Sequence, residues 1–180
     1  MPIVFTKNAL LRPPFSGNEF TRTKWESPDA KADFANKLCR FIAADFREAM
    51  FTKTLYRRLS LCFGHIAHYD SFGFLDHFFR DLRGKVAFLE ETLLWPPCGD
   101  PGYTFCDVER DVQARLRTCN LLAAYRALRA AEVEGAEREL LRRLQTKYGE
   151  SPSAPEPTPI HTVRPPRQPR PPPAEQQTLF

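Results

Sequence analysis

Residues 27–46, SPDAKADFANKLCRFIAADF, carry the clearest helical pattern in the chain and decide its predicted fold class. Ser27 is a favoured N-cap residue, Pro28 suits the first helical position, and Asp29 interacts well with the positive end of the helix dipole. Large apolar residues then recur every three or four positions, which places them on one side of a helix: Phe34, Leu38, Phe41, Ile42 and Phe46. The segment therefore predicts an amphipathic helix that packs against a core.

Two more helices are predicted downstream. The first covers about residues 52–69; its broad apolar side predicts the central, most buried helix, and Gly64 within it would allow another helix to pack closely. The next covers about residues 74–94. A stiff loop follows at residues 95–102, because the prolines there cannot continue a helix. No strand–helix alternation accompanies these segments, so the sequence disfavours an α/β fold.

The helical pattern resumes at about Phe105 and runs to Tyr148 with little interruption. Gly135 is its weak point, since glycine costs about 1 kcal/mol relative to alanine inside a helix. The segment is therefore either one long helix or two helices joined near Gly135. A single helix would extend past the bundle and offer a surface for homo-oligomerisation.

Basic residues are frequent in this last helical segment: Arg110, Arg115, Arg117, Arg126, Arg129, Arg138, Arg142, Arg143 and Lys147. One interpretation is a weak, direct contact with DNA phosphates. Acidic residues are interleaved, however, and pairs such as Glu134 and Arg138, at i and i+4, are typical of a solvated helix face. We favour the solvated face and keep DNA contact as the alternative.

The chain of 180 residues has room for one domain and an appendage, and 42% hydrophobic residues are enough to form a core. We predict an all-α fold, a helical bundle of four to five helices over residues 27–148. Residues 1–26 would form an irregular arm docked on this domain. Residues 149–175 contain ten prolines and few large apolar residues, so they predict a disordered, proline-rich tether.

Five cysteines are scattered through the chain, at Cys39, Cys62, Cys98, Cys106 and Cys119. Their odd number and the lack of Cys-x-x-Cys spacing argue against both a zinc knuckle and a disulfide framework, and favour a reducing compartment. Neither a signal peptide nor an apolar run of the ~20 residues that a membrane span needs is recognisable. We expect a cytoplasmic protein without membrane association, cofactor or metal.

The last five residues, 176–180, read QQTLF and follow the proline-rich segment directly. This stretch resembles the pentapeptide, Gln, two variable residues, Leu, Phe, by which bacterial replication and repair proteins bind the DNA sliding clamp, the beta subunit of DNA polymerase III. The resemblance implies that Gln176 hydrogen-bonds at the rim of a clamp pocket, while Leu179 and Phe180 fill its hydrophobic subsites. It covers five residues and implies nothing about the helical domain.

A second group of polar residues lies at the end of the predicted second helix. His65 and His68, three residues apart, would share one helix face and, with Asp70 or His77, would form a metal or acid–base site. Carboxylates at matching spacing, as in Glu-x-x-His pairs, are not found nearby. The simpler interpretation is that these histidines donate to backbone carbonyls at the helix end.

The sequence therefore favours a non-enzymatic accessory protein, recruited to the sliding clamp by residues 176–180 and acting in replication, repair or the maintenance of a mobile element. The first alternative is a small metal-dependent nuclease or hydrolase that uses His65, His68 and Asp70. The second is a proline-rich tail that serves as a general ligand for adaptor domains.

Overall fold

The computed structural model describes residues 7–63 and 70–149. Within these ranges the fold is all-α, as predicted, with seven α-helices and no strand. The helices are α1 (Lys7–Leu11), α2 (Pro28–Ala43), α3 (Lys53–Cys62), α4 (Ser71–Phe79), α5 (Leu82–Leu94), α6 (Cys106–Thr118) and α7 (Leu121–Tyr148). None of the helices in the described part of the chain has the length and apolar character needed to cross a membrane.

The chain divides into two compact units, Met1–Glu139 and Leu140–Phe180. In the second unit the described residues are 140–149, which contain the last turns of α7 and are exposed. Among the described residues, the buried side chains belong to the first unit.

Helix α2 begins where the sequence predicts, because the Ser27 side chain accepts a hydrogen bond from the amide of Ala30 and Pro28 occupies the first helical position. Nine of its sixteen residues are buried. Helix α3 buries only Leu55, Leu59 and Cys62 among its ten residues. Over the residues that the structure describes, α2 and not α3 is therefore the most buried helix.

The helix predicted over residues 74–94 is divided into α4 and α5 at Arg80 and Asp81. The Asp81 carboxylate accepts a hydrogen bond from the amide of Gly84, 2.7 Å away, and so begins a new helix. Gly84 is buried where α5 meets the end of α4: a Cβ there would lie 2.3 Å from the carbonyl oxygen of His77. The break went unpredicted because the apolar spacing continues across it.

The last helical segment is two helices, but the junction lies at Cys119 and Asn120 rather than at Gly135. Asn120 has φ of 52°, a left-handed conformation that asparagine tolerates better than most residues. Gly135 lies within α7, and a Cβ there would meet nothing within 4 Å. The chain turns at Asn120 because Leu121 and Tyr125 then enter the core, where both are buried.

The core is largely a cluster of phenylalanine rings from α2, α4, α5 and the turn after α2. Phe46 stacks on Phe79 with ring centroids 4.9 Å apart, and Phe41 meets Phe79 edge to face at 5.0 Å. The N-terminal residues contribute Leu10, Phe15 and Phe20, which are all buried. Such aromatic pairs contribute about 0.5–1.5 kcal/mol each beyond the area they bury.

Candidate functional site

The predicted histidine–aspartate group is only partly within the described residues. Asp70 caps α4: its carboxylate accepts a hydrogen bond from the amide of Gly73, 2.7 Å away. His77 lies in the last turn of the same helix, with its ring 4.6 Å from that of Phe78. Asp70 and His77 are thus at opposite ends of α4, about 10 Å apart along the helix axis. His65 and His68 lie outside the described residues.

The predicted clamp-binding residues, Gln176, Leu179 and Phe180, also lie outside the described residues, as does the proline-rich segment from residue 150 onward. Their role stays a prediction from the sequence.

The basic residues of α6 and α7 are engaged within the fold at several positions. Arg115 lies over the ring of Phe15, 3.5 Å from its centroid, and Arg117 donates to the carbonyl of Leu93 at 2.9 Å. Farther along, Arg126 pairs with Glu90 and Arg138 pairs with Glu134. These contacts are those of an ordinary, internally paired helix surface, and direct DNA contact stays a prediction.

Exposed apolar residues occur on α7 as well. Leu128 is 56% exposed and Val133 is 47% exposed. They are compatible with homo-oligomerisation through this helix, which also stays a prediction.

A buried ion pair, formed by Lys31 of α2 and Asp107 of α6, organises the region near the start of α6. The Lys31 Nζ atom lies 2.9 Å from Asp107 Oδ1 and also donates to the carbonyl oxygen of Pro101, 2.9 Å away. Asp107 Oδ2 accepts from the amide of Thr21 at 2.9 Å. The pair therefore joins the N-terminal segment, α2, the loop before α6 and α6 itself.

A cavity of about 320 Å³ lies next to this network, between the end of α3, the loop after α5 and the first half of α6. We name it the α3–α6 cavity. The residues that line it include Cys62, Phe63, Trp95, Phe105, Glu109 and Gln113. Its volume is within the range of small-molecule sites, and its wall is mostly apolar and aromatic with few polar groups.

The loop over residues 95–105 forms the rim of the α3–α6 cavity and is held by hydrogen bonds to α6. The Gln113 amide donates to the carbonyl oxygens of Thr92 at 2.7 Å and Trp95 at 2.9 Å. Nearer the start of α6, the Cys106 thiol donates to the carbonyl of Gly99 at 3.2 Å. Gly99 has φ of 96°, which glycine adopts without strain. The rim is thus fixed at both ends.

Glu109 supplies the charge in the α3–α6 cavity. Its side chain is half-buried, and its carboxylate has no hydrogen-bond or ion-pair partner among the described residues. Desolvation by this burial raises the pKa of Glu109 from 4.5 to about 7. Burial also raises the pKa of the Cys62 thiol well above its ordinary value, and the nearby charge of Glu109 adds to the effect. Cys62 is therefore a neutral thiol near pH 7, the pH at which Glu109 titrates.

Sequence reasoning missed Glu109, because an acidic residue among arginines resembles a solvated helix face. A signal was available: Cys106, Glu109 and Gln113 recur at i, i+3 and i+7, so they share one side of α6. That side faces the α3–α6 cavity.

A second cavity, of about 380 Å³, lies between α2 and α3. Phe34 and Leu55 contribute apolar surface, and Lys37, Arg40 and Arg58 contribute charge. Two of these cations already have carboxylate partners: Lys37 pairs with Asp33, and Arg58 pairs with Glu26.

Over the described ranges, no group of three or more histidine, cysteine, aspartate or glutamate side chains is arranged to hold a metal ion. Comparison of the chain with protein-family models, with curated proteins and with solved structures finds no match.

Proposed function

We propose that this chain is a non-enzymatic accessory protein that is recruited to the DNA sliding clamp through Gln176, Leu179 and Phe180. There it would act in replication, repair or the maintenance of a mobile element. The observation that carries the proposal is the Gln-x-x-Leu-Phe sequence at residues 176–180, directly after a proline-rich segment.

The physical chemistry of the five residues supports a binding role. Leu179 and Phe180 are large apolar side chains that follow a segment whose composition disfavours a packed core. Burying each of them in a partner's pocket would contribute roughly 1.5–3 kcal/mol. The cost of ordering a flexible peptide offsets part of this gain, so we expect a dissociation constant in the micromolar range.

The segment before the motif supports a tethering mechanism. A proline-rich chain favours the polyproline II conformation, which rises ~3.1 Å per residue, so residues 149–175 would span on the order of 80 Å. Binding of the motif to the clamp would keep the helical domain within that distance and raise its local concentration there.

A peptide of residues 171–180, PPPAEQQTLF, tests the proposal directly. Labelled at its N-terminus and titrated with a purified bacterial sliding clamp, it should bind with a micromolar dissociation constant by fluorescence anisotropy. The Leu179→Ala/Phe180→Ala peptide should lose binding, and Gln176→Ala should weaken it. Thr178→Ala is the matched control, since position 178 is variable in the resembled motif. Equal binding by the wild-type and double-alanine peptides, or binding by neither, would refute the proposal.

A further inference from the structure

Glu109 is a half-buried carboxylate for which the described residues provide no counter-charge. Among the described residues of this region, Lys31 of α2 pairs with Asp107, and Arg110 pairs with Asp111 at 3.0 Å. A carboxylate that is partly held away from water without a cation costs stability, and a bound cation would offset that cost.

The residues that line the α3–α6 cavity indicate which class of ligand would pair with Glu109. Trp95 and Phe105 contribute aromatic rings, and Cys62, Cys98 and Cys106 also line the cavity. Aromatic rings attract cations through their negative faces, and do so most strongly where the cation is partly desolvated. A carboxylate beside two aromatic residues is a chemical environment suited to an organic ammonium group.

We propose that the α3–α6 cavity binds a small organic cation of the ammonium class, with Glu109 as its counter-ion and Trp95 and Phe105 as its aromatic walls. This binding site is separate from residues 176–180, and the proposal does not depend on recruitment to the clamp. Phe105 is buried beneath the site, whereas Trp95 is 55% exposed at the rim, so a ligand would enter beside Trp95.

The cation should bind only to the ionised form of Glu109. Because the pKa of Glu109 is about 7 in the empty cavity, binding below that pH requires the release of a proton. The dissociation constant should therefore fall about tenfold per pH unit as the pH rises towards 7, and become constant above about pH 8. A bound cation stabilises the charged carboxylate and so lowers its pKa.

Choline is the probe that we would use, with 3,3-dimethylbutan-1-ol as its uncharged analogue, in which a tert-butyl group replaces the trimethylammonium group. The full chain would carry Trp25→Phe, which leaves Trp95 as the one tryptophan of the sequence. Its fluorescence should change saturably with choline and not with the neutral analogue. Glu109→Gln should weaken binding at least tenfold at pH 8 and abolish its pH dependence, while Glu132→Gln, an exposed acid on α7, should change neither.

The outcomes separate this proposal from its rivals. Histidines titrate in the same pH range, so a pH dependence that persists in Glu109→Gln would assign it to them and overturn the proposal. Equal binding of choline and the neutral alcohol would show that the cavity binds through apolar contacts alone, and would also overturn the proposal. Absence of a saturable fluorescence change with choline at pH 8 would also overturn it. Circular dichroism of Glu109→Gln confirms that a loss of binding is not a loss of fold.

Discussion

Lys31 and Asp107 form an ion pair that is buried on both sides, with Nζ 2.9 Å from Oδ1 and side chains that are 0% and 3% exposed. The two residues are 76 positions apart in sequence, so the contact exists only when α2 and α6 are packed together. Hydrogen bonds to Thr21 and Pro101 satisfy most of the remaining polar atoms. The pair is a long-range contact of the folded chain, and through Pro101 it also supports the loop that borders the α3–α6 cavity.

Removing one member of this pair should destabilise the protein strongly. Asp107→Asn or Lys31→Met leaves a buried charge without a counter-ion, and we expect the free energy of unfolding to fall by about 3–5 kcal/mol in urea titrations. The double variant Lys31→Met/Asp107→Leu should recover much of that loss. Asp33→Asn, which breaks the exposed pair with Lys37, is the matched control and should cost less than about 1 kcal/mol. Similar losses in both pairs would contradict this account.

Replacing Gly84 or Gly135 by alanine should change the stability of the protein in opposite directions. Gly84→Ala places a Cβ 2.3 Å from the carbonyl oxygen of His77 and 2.9 Å from that of Phe78, both backbone atoms, so α4 and α5 must move apart. A loss of about 1–3 kcal/mol is expected from such overpacking. Gly135→Ala adds a methyl group in open space within α7 and should raise stability by up to about 1 kcal/mol. Thermal unfolding by circular dichroism measures both, and a neutral Gly84→Ala would show that the helix contact is looser than described.

The stability of the protein should fall as the pH rises through the titration of Glu109. Its pKa is about 7 in the folded state and near 4.5 otherwise, so between these values the folded chain binds more protons than the unfolded chain. The contribution of Glu109 to the free energy of unfolding is therefore fully present below about pH 4.5 and is lost by about pH 8. Glu109→Gln removes the titration: its melting temperature should exceed that of the wild type at pH 8 and approach it at pH 5. A constant difference across this range would exclude Glu109 as the titrating group.

Asp70 distinguishes the accessory-protein proposal from the metal-dependent enzyme alternative. Its carboxylate accepts from the Gly73 amide as the cap of α4, and asparagine caps helices about as well. Asp70→Asn should therefore leave the melting temperature nearly unchanged, whereas Asp70→Ala should cost about 0.5–2 kcal/mol. Metal content, measured by plasma mass spectrometry, should be negligible in the wild type. Stoichiometric metal that is lost in Asp70→Asn would support the alternative.

The sequence predicts helices well where local chemistry decides them. Ser27 and Pro28 mark the start of α2 correctly, and the prolines after Trp95 mark the end of α5. The breaks at Asp81 and Asn120 were missed because the apolar spacing continues through both. The break at Asp81 is made by a local cap, the hydrogen bond from the Gly84 amide to Asp81, which the continuous apolar spacing concealed. The break at Asn120 depends on a tertiary contact, the burial of Leu121, that local patterns do not contain.

The α3–α6 cavity was beyond sequence reasoning for the same physical reason. Whether Glu109 is solvated or half-buried depends on the loop at residues 95–105, which Gln113 and Lys31 hold in place from two different helices. A charge pattern alone cannot distinguish these cases. The predicted clamp-binding residues are the reverse case: a short motif is recognisable from sequence because it needs no tertiary context.

The most direct test of the central proposal is the affinity of the full chain for an immobilised bacterial sliding clamp, measured by surface plasmon resonance with three proteins. The wild type and Glu109→Gln should bind with the same micromolar dissociation constant, because the cavity plays no part in recruitment. Leu179→Ala/Phe180→Ala should bind at least about a hundredfold more weakly, since it loses the burial of two large side chains. An unchanged dissociation constant in the double-alanine chain, or no binding by the wild type, would contradict the account.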